Sequence, residues 1–112
     1  QTIMSFSDFF INEPKANKFQ ETLFLNLKDK LFRTRIIGSS AVDFASLASG
    51  FTDALVMRTT NIWDLAPGYL LVKEAGCTVL NEKLTAYNFS DYALFAMNNR
   101  EFATILKEAI PQ

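Results

Sequence analysis

The segment "DLAPGYLLVKEAG", Asp64 to Gly76, constrains the fold of this chain more than any other. Leu65, Ala66, Tyr69, Leu70, Leu71, Val72 and Ala75 go nearly all round one helix, which ends at Gly76. A helix without a polar face is expected to be sandwiched between layers rather than to lie on a surface. The rest of the sequence supplies layers. "TIMSFSDFFI" has apolar residues at Ile3, Phe6, Phe9, Phe10 and Ile11 with polar ones between, reads as a strand and stops at the turn "NEPK"; "TRII", "DALVMRT", "CTVL" and "YALFAMN" read as further short strands. From Ala16 to Arg33, the spacing of Phe19, Leu23, Phe24, Leu27 and Leu31 predicts an amphipathic helix. "SSAVDFASLASG" reads as a helix whose Ala41, Ala45 and Ala48 allow close packing, with Gly50 as its C-cap. A last helix, capped by Asn98 or Asn99, has Phe102, Ile105, Leu106, Ala109 and Ile110 on one face. "NEKLTAYNFSD" is left as an irregular connection. Alternating strands and helices imply an α/β layered sheet.

Composition narrows the function classes. A chain of 112 residues, 49% apolar with eleven Phe, fits a single domain with a substantial core. Eleven basic against twelve acidic residues give a formal charge of -1, and no basic block occurs, so neither nucleic acid nor an anionic membrane is an expected partner. There is no charged and apolar leader pattern after Gln1 and no run of about 18 apolar residues, so the chain reads as soluble. A lone Cys77 excludes an internal disulfide and fits a reducing compartment, the cytoplasm. Because histidine is absent, imidazole nucleophile pairs, imidazole-ligated zinc and imidazole acid-base catalysis are excluded. Chemistry here must rest on carboxylates, hydroxyls, backbone amides or a hard cation such as Mg²⁺ held by oxygens.

Two places carry candidate chemistry. In "RIIGSSAVD", a strand passes through Gly38 into a helix opened by Ser39 and Ser40, whose free N–H groups can meet a phosphate or a hydroxyl oxygen. The same residues also fit a capping box of Ser40 with Asp43, which needs no ligand. Asp64 is the second place. With Asn61 as N-cap it would stand in the first helical turn beside Trp63, with Pro67 close to the helix start, stabilising that start by roughly 1 kcal/mol. Alternatively it is a metal ligand, which requires further oxygens from elsewhere. Cys77 reads as a small core residue and Asp8 as an exposed one.

"WDLAPGYLLVKEAG" resembles the C-terminal signature of the inositol monophosphatase family of Mg²⁺-dependent phosphatases, W-D-x-A-x-G-x-x-L-x-x-E-A-G-G, departing from it mainly at Cys77. "GSSAVDFASLASGFTDA" resembles the family's upstream G-S/T-A-A segment, with Ser40 in place of the first alanine. The resemblance extends over essentially the whole chain and implies a layered mixed β-sheet with helices on both faces, the C-terminal domain of that family's sandwich. The glutamate-rich metal segment and the D-P-x-D-G-T motif of the family's first half do not occur.

By this resemblance Asp64 would ligate Mg²⁺ and touch a substrate hydroxyl. Gly38, Ser39 and Ser40 would meet the part of the substrate away from its phosphate, and Arg35 would stand at a basic position near that site. Met57 replaces a glutamate that binds a ring hydroxyl in members acting on inositol phosphate; a thioether accepts such a bond poorly, which argues against that substrate. Arg58 follows it and could face a more anionic one. The implied activity is hydrolysis of a small phosphate monoester by metal-activated water in a homodimeric parent, with the isolated chain inactive. Gln1 in place of an initiator methionine suggests a piece of that parent. A non-catalytic binding or regulatory domain of the same fold is the alternative.

Overall fold

A computed structural model describes residues 1–58 and 62–111, apart from the side chains of Ile62 and Asp64. The elements follow in the order β1 (Ile3–Ser5), α1 (Pro14–Leu27), β2 (Arg33–Arg35), α2 (Ser40–Ala48), β3 (Ala54–Met57), α3 (Ile62–Glu74), β4 (Thr78–Leu80), β5 (Leu94–Met97) and α4 (Phe102–Ala109). The five strands form one mixed sheet in the order β2-β1-β3-β5-β4, with β1 parallel to β2 and β3, and β5 antiparallel to β3 and β4. This is the α/β layered sheet expected.

Alternation along the inner strands divides the interior into two cores. Ala54 and Val56 of β3, with Phe95 and Met97 of β5, face α1 and α4 through Leu23, Leu27, Phe102, Leu106 and Ala109. Leu55 and Met57, with Leu94 and Ala96, face α2 and α3 through Phe44, Leu47, Leu65 and Val72. Helices therefore cover both faces. Two crossovers set the position of the site: α1 joins β1 to β2 over one face, and α2 carries the chain from β2 back past β1 to β3 over the other. The strand order thus reverses at β1, where a crevice opens beyond the carboxyl ends of the strands.

Several expectations change in detail. α1 runs from Pro14 to Leu27 and stops six residues short of Arg33. Its end is set by strand pairing: Phe32 and Arg33 both donate N–H to the Thr2 carbonyl, at 2.8 and 3.4 Å, which requires a turn after Leu27. Leu31 continues the helical spacing because it packs on the same core from outside the helix. β1 is confined to Ile3–Ser5, and Phe9, Phe10 and Ile11 are exposed. α3 begins at Ile62, so Pro67 lies inside the helix rather than in its first turn. The expected cap Asn61 lies outside the described residues. Nor is α3 sandwiched: Leu65 and Val72 are buried, whereas Leu70 and Leu71 are 60% and 45% exposed, so in this chain only one side of the helix is covered.

The contact between α2 and α3 depends on Gly68. A Cβ built there would stand 2.1 Å from Cδ2 of Phe44, a fully buried side chain of α2, a hard overlap. Gly68→Ala is expected to destabilise the domain by about 1–3 kcal/mol or more, read as a lower urea midpoint. A loss under about 0.5 kcal/mol would mean that the two helices separate without cost.

Candidate functional site

A cavity of about 780 Å³ opens at the carboxyl ends of β1, β2 and β3. Ser7 and Asp8 reach it after β1, Gly38, Ser39 and Ser40 after β2, and Met57 and Arg58 at the end of β3. Asp43 of α2 and Leu65 of α3 line it too, and Phe89 to Tyr92 close one side.

The segment after β1 is tied down by α1. Buried Gln20 accepts the Ser7 hydroxyl proton at 2.7 Å and donates its amide to the Ser7 carbonyl. Asn17 brackets Phe10, accepting its N–H at 2.9 Å and donating to its carbonyl at 2.7 Å. Asp8 is thereby presented to Gly38. That glycine is required twice: its φ is +83°, and a Cβ would sit 2.8 Å from Asp8 Oδ2.

The start of α2 differs from the expected capping box. Ser39 is the N-cap, its hydroxyl accepting the Val42 N–H at 3.3 Å and its carbonyl the Asp43 N–H at 3.0 Å. Ser40 is the first helical residue, so Asp43 is not its capping partner. Instead Asp43 is 2% exposed with Oδ1 unpartnered. Burial, with the nearby Asp8 carboxylate adding repulsion, pushes its carboxyl up to about 6.

The opposite wall comes from the connection between β4 and β5. Asn81 organises it, accepting N–H from Lys83 and Thr85 at 2.9 and 3.0 Å and donating to Thr85 Oγ1 at 2.8 Å and Asp91 Oδ2 at 3.1 Å. Phe89 packs edge-on against Tyr69 and Tyr87, and Tyr92 against Phe19, so the wall is anchored to helices on both faces.

Of the residues singled out from sequence, Gly38, Ser39, Ser40 and Met57 line the cavity together with Arg58. Arg35 does not line it and is exposed on the edge strand β2. The side chain of Asp64 lies outside the described residues; Leu65, which follows it, lines the cavity. Asp8 is half-buried in the site rather than exposed at random, and Asp91 and Tyr92 also belong to it. No local pattern announces these three, because long-range packing brings them in. Among the described residues no three Asp, Glu or Cys side chains converge as a metal-binding group. Cys77 is buried in the core, which raises its thiol pKa.

Asp43 makes the site sensitive to pH. Its ordinary value of 3.8 holds in the unfolded chain, so between 3.8 and about 6 the folded state binds more protons. Its contribution to stability is full below 3.8 and is lost as pH rises through about 6. Asp43→Asn should therefore flatten the decline in urea midpoint between about pH 4 and pH 7.5 relative to wild type; parallel curves would refute the assignment.

Comparison with known proteins bears directly on this geometry. The inositol monophosphatase family profile matches residues 4–111. Human inositol monophosphatase 2 is 29% identical over 102 residues, covering 87% of this chain and 35% of the relative. The inositol-1-monophosphatase of Caulobacter vibrioides is 31% identical over 83 residues, covering 74% of this chain and 30% of the relative. The chain thus spans about a third of the length of these relatives. Among solved structures, the inositol monophosphatase of Anabaena (Nostoc) superposes with a TM-score of 0.82 at 22% identity, covering 99% of this chain and 44% of that one. No described helix is long and apolar enough to cross a membrane. With a mixed sheet covered on both faces and a family match over nearly its whole length, the chain belongs to the inositol monophosphatase family.

Proposed function

We propose that this chain is the C-terminal, substrate-facing part of a Mg²⁺-dependent phosphatase that hydrolyses a small phosphate monoester, an inositol or sugar phosphate. The observation that carries this reading is the cavity itself, which brings the Gly38-Ser39-Ser40 loop, the end of β3 and the start of α3 to one opening. At the start of α2 the first backbone N–H groups lack helical acceptors and suit the oxygens of the substrate away from its scissile phosphate. Asp8 and Asp43 can accept hydroxyl hydrogens of a polyol, whereas Met57 offers a poor acceptor.

The described carboxylates do not by themselves make a magnesium site, because none of them converge in threes and a hard cation needs several oxygens. In this reading Asp64 contributes one ligand, the others come from parts of a longer protein, and the 112-residue chain alone is inactive. The parent is a cytoplasmic homodimer. The outward apolar surface of Leu70, Leu71 and Phe51 supports a covering protein surface in the parent.

A second reading, a ligand-binding domain without catalysis, needs only the cavity and its Gly38-Ser39-Ser40 loop. One experiment separates the two. Phosphate release from sugar and inositol phosphates is measured with and without Mg²⁺ for the full encoded product and for this chain. The enzyme reading expects Mg²⁺-dependent turnover in the longer product, a fall of at least about 100-fold in Asp64→Asn, and none in the short chain. An encoded product no longer than this chain, or a longer one without such turnover, leaves the binding domain.

A further inference from the structure

Two carboxylates stand close together in the cavity with no cation to neutralise them. Asp43 is 2% exposed and its Oδ1 finds no donor, while Asp8 lies near enough to repel its negative charge. Among the described residues the ion pairs are Lys28–Asp29 and Lys30–Glu108, and neither belongs to the cavity. Arg58, the one basic side chain that lines it among those residues, leaves Nε and Nη2 without hydrogen bonds instead of turning them to either carboxylate. Like charges held near one another in a poorly solvated place are costly, and a positive group arriving from outside relieves both.

Their place in the fold is fixed. Asp8 Oδ2 stands 2.8 Å from the point that a Gly38 Cβ would occupy, and Asp43 lies in the first turn of α2, which Ser39 caps. Both carboxylates thus flank the Gly38-Ser39-Ser40 loop, against which the phosphatase reading sets the part of the substrate away from its phosphate. A hard divalent ion is a poor fit there, because it takes about six oxygens and no three acidic side chains converge among the described residues. A primary ammonium group is compact and has three N–H donors. Two of them suit the carboxylates, and the Ser40 hydroxyl, which also lines the cavity, suits the third. A neutral hydroxyl in the same place has one hydrogen to give and leaves the paired negative charge unrelieved.

We infer that Asp8 and Asp43 together seat a primary ammonium group of the substrate, so that the cavity prefers an amino sugar phosphate to the sugar phosphate with a hydroxyl in that place. This rests on the phosphatase reading for the phosphate at the other end of the ligand. The preference itself is a matter of binding and is measured without turnover.

The test is calorimetric titration of the full encoded product, without added metal and at about pH 7, where both the amine and the carboxylates are largely charged. The ligands are glucosamine 6-phosphate and glucose 6-phosphate, which differ only in an ammonium in place of a hydroxyl. Wild type is expected to bind the amino sugar roughly 10-fold or more tightly. Asp8→Asn keeps an oxygen acceptor but removes a charge, and should bring the two sugars within about threefold of one another, with a thermal midpoint unchanged or higher because the repulsion on Asp43 is gone. Asp43→Asn should act in the same direction on binding, so the outcome does not hang on one variant. Excess ammonium chloride should erode the preference, whereas tetramethylammonium chloride at equal concentration, which has no N–H to donate, should not. Three results would each overturn the inference: no preference for the amino sugar in wild type, an intact preference in both variants, or equal erosion by the two salts. Absent phosphate release in the activity assay, by contrast, would count against the phosphatase reading and leave the binding preference standing.

Discussion

Every position in the cavity traces back to the pairing of β3 with β5. Both strands are buried on both faces, and their antiparallel register sets Leu55 against Ala96 and Val56 against Phe95. A slip of one residue would send each side chain into the opposite core, placing Phe95 where Ala96 now meets α2 and α3. Such an exchange would overpack one core and leave a void in the other, which favours the observed register. With it come the points at which Met57 and Arg58 leave the sheet and, through the parallel pairing of Met4 with Ala54, the height at which Ser7 and Asp8 emerge.

The polar interior stands in contrast to those apolar cores. Ser7 and Gln20 satisfy one another, and Asn81 uses both ends of its amide to order a loop. Asp43 Oδ1 and Arg58 Nε and Nη2 are left unsatisfied, and all belong to the cavity. Ser5 Oγ and Thr52 Oγ1 are likewise unpartnered away from it, so the cavity holds the charged part of this frustration, the part that suits a recognition site on a rigid scaffold.

Much of the architecture was legible in the residues because periodicity reports burial. The helical spacing from Phe19 to Leu27 and the apolar runs at β3 and β5 were read correctly. Boundaries were less so: the spacing ran through Leu31, which a turn packs against the core half-buried, and the all-round apolarity of α3 implied a sandwich of which only one side is present. The Gly38 loop and Met57 could be placed from motif and resemblance. Asp8, by contrast, meets Gly38 across the whole of α1 and β2, and Asp91 and Tyr92 reach the site through a connection with no periodicity at all. Such meetings are set by tertiary packing, about which local sequence is silent.

The strand order has a consequence for how the chain is made. β3 and β4 are neighbours in sequence, but β5 lies between them in the sheet. A nascent chain that has reached Leu80 already holds four strands, β1 to β4, yet β4 has no partner and β3 has one open edge. Only when Leu94–Met97 has cleared the ribosome can the wedge be driven in, and the core beneath α1 closes later still, once α4 has followed. Until then the apolar faces of β3 depend on helices alone, and the interval between synthesis of β4 and of β5 is the stretch in which this chain is most in need of a chaperone.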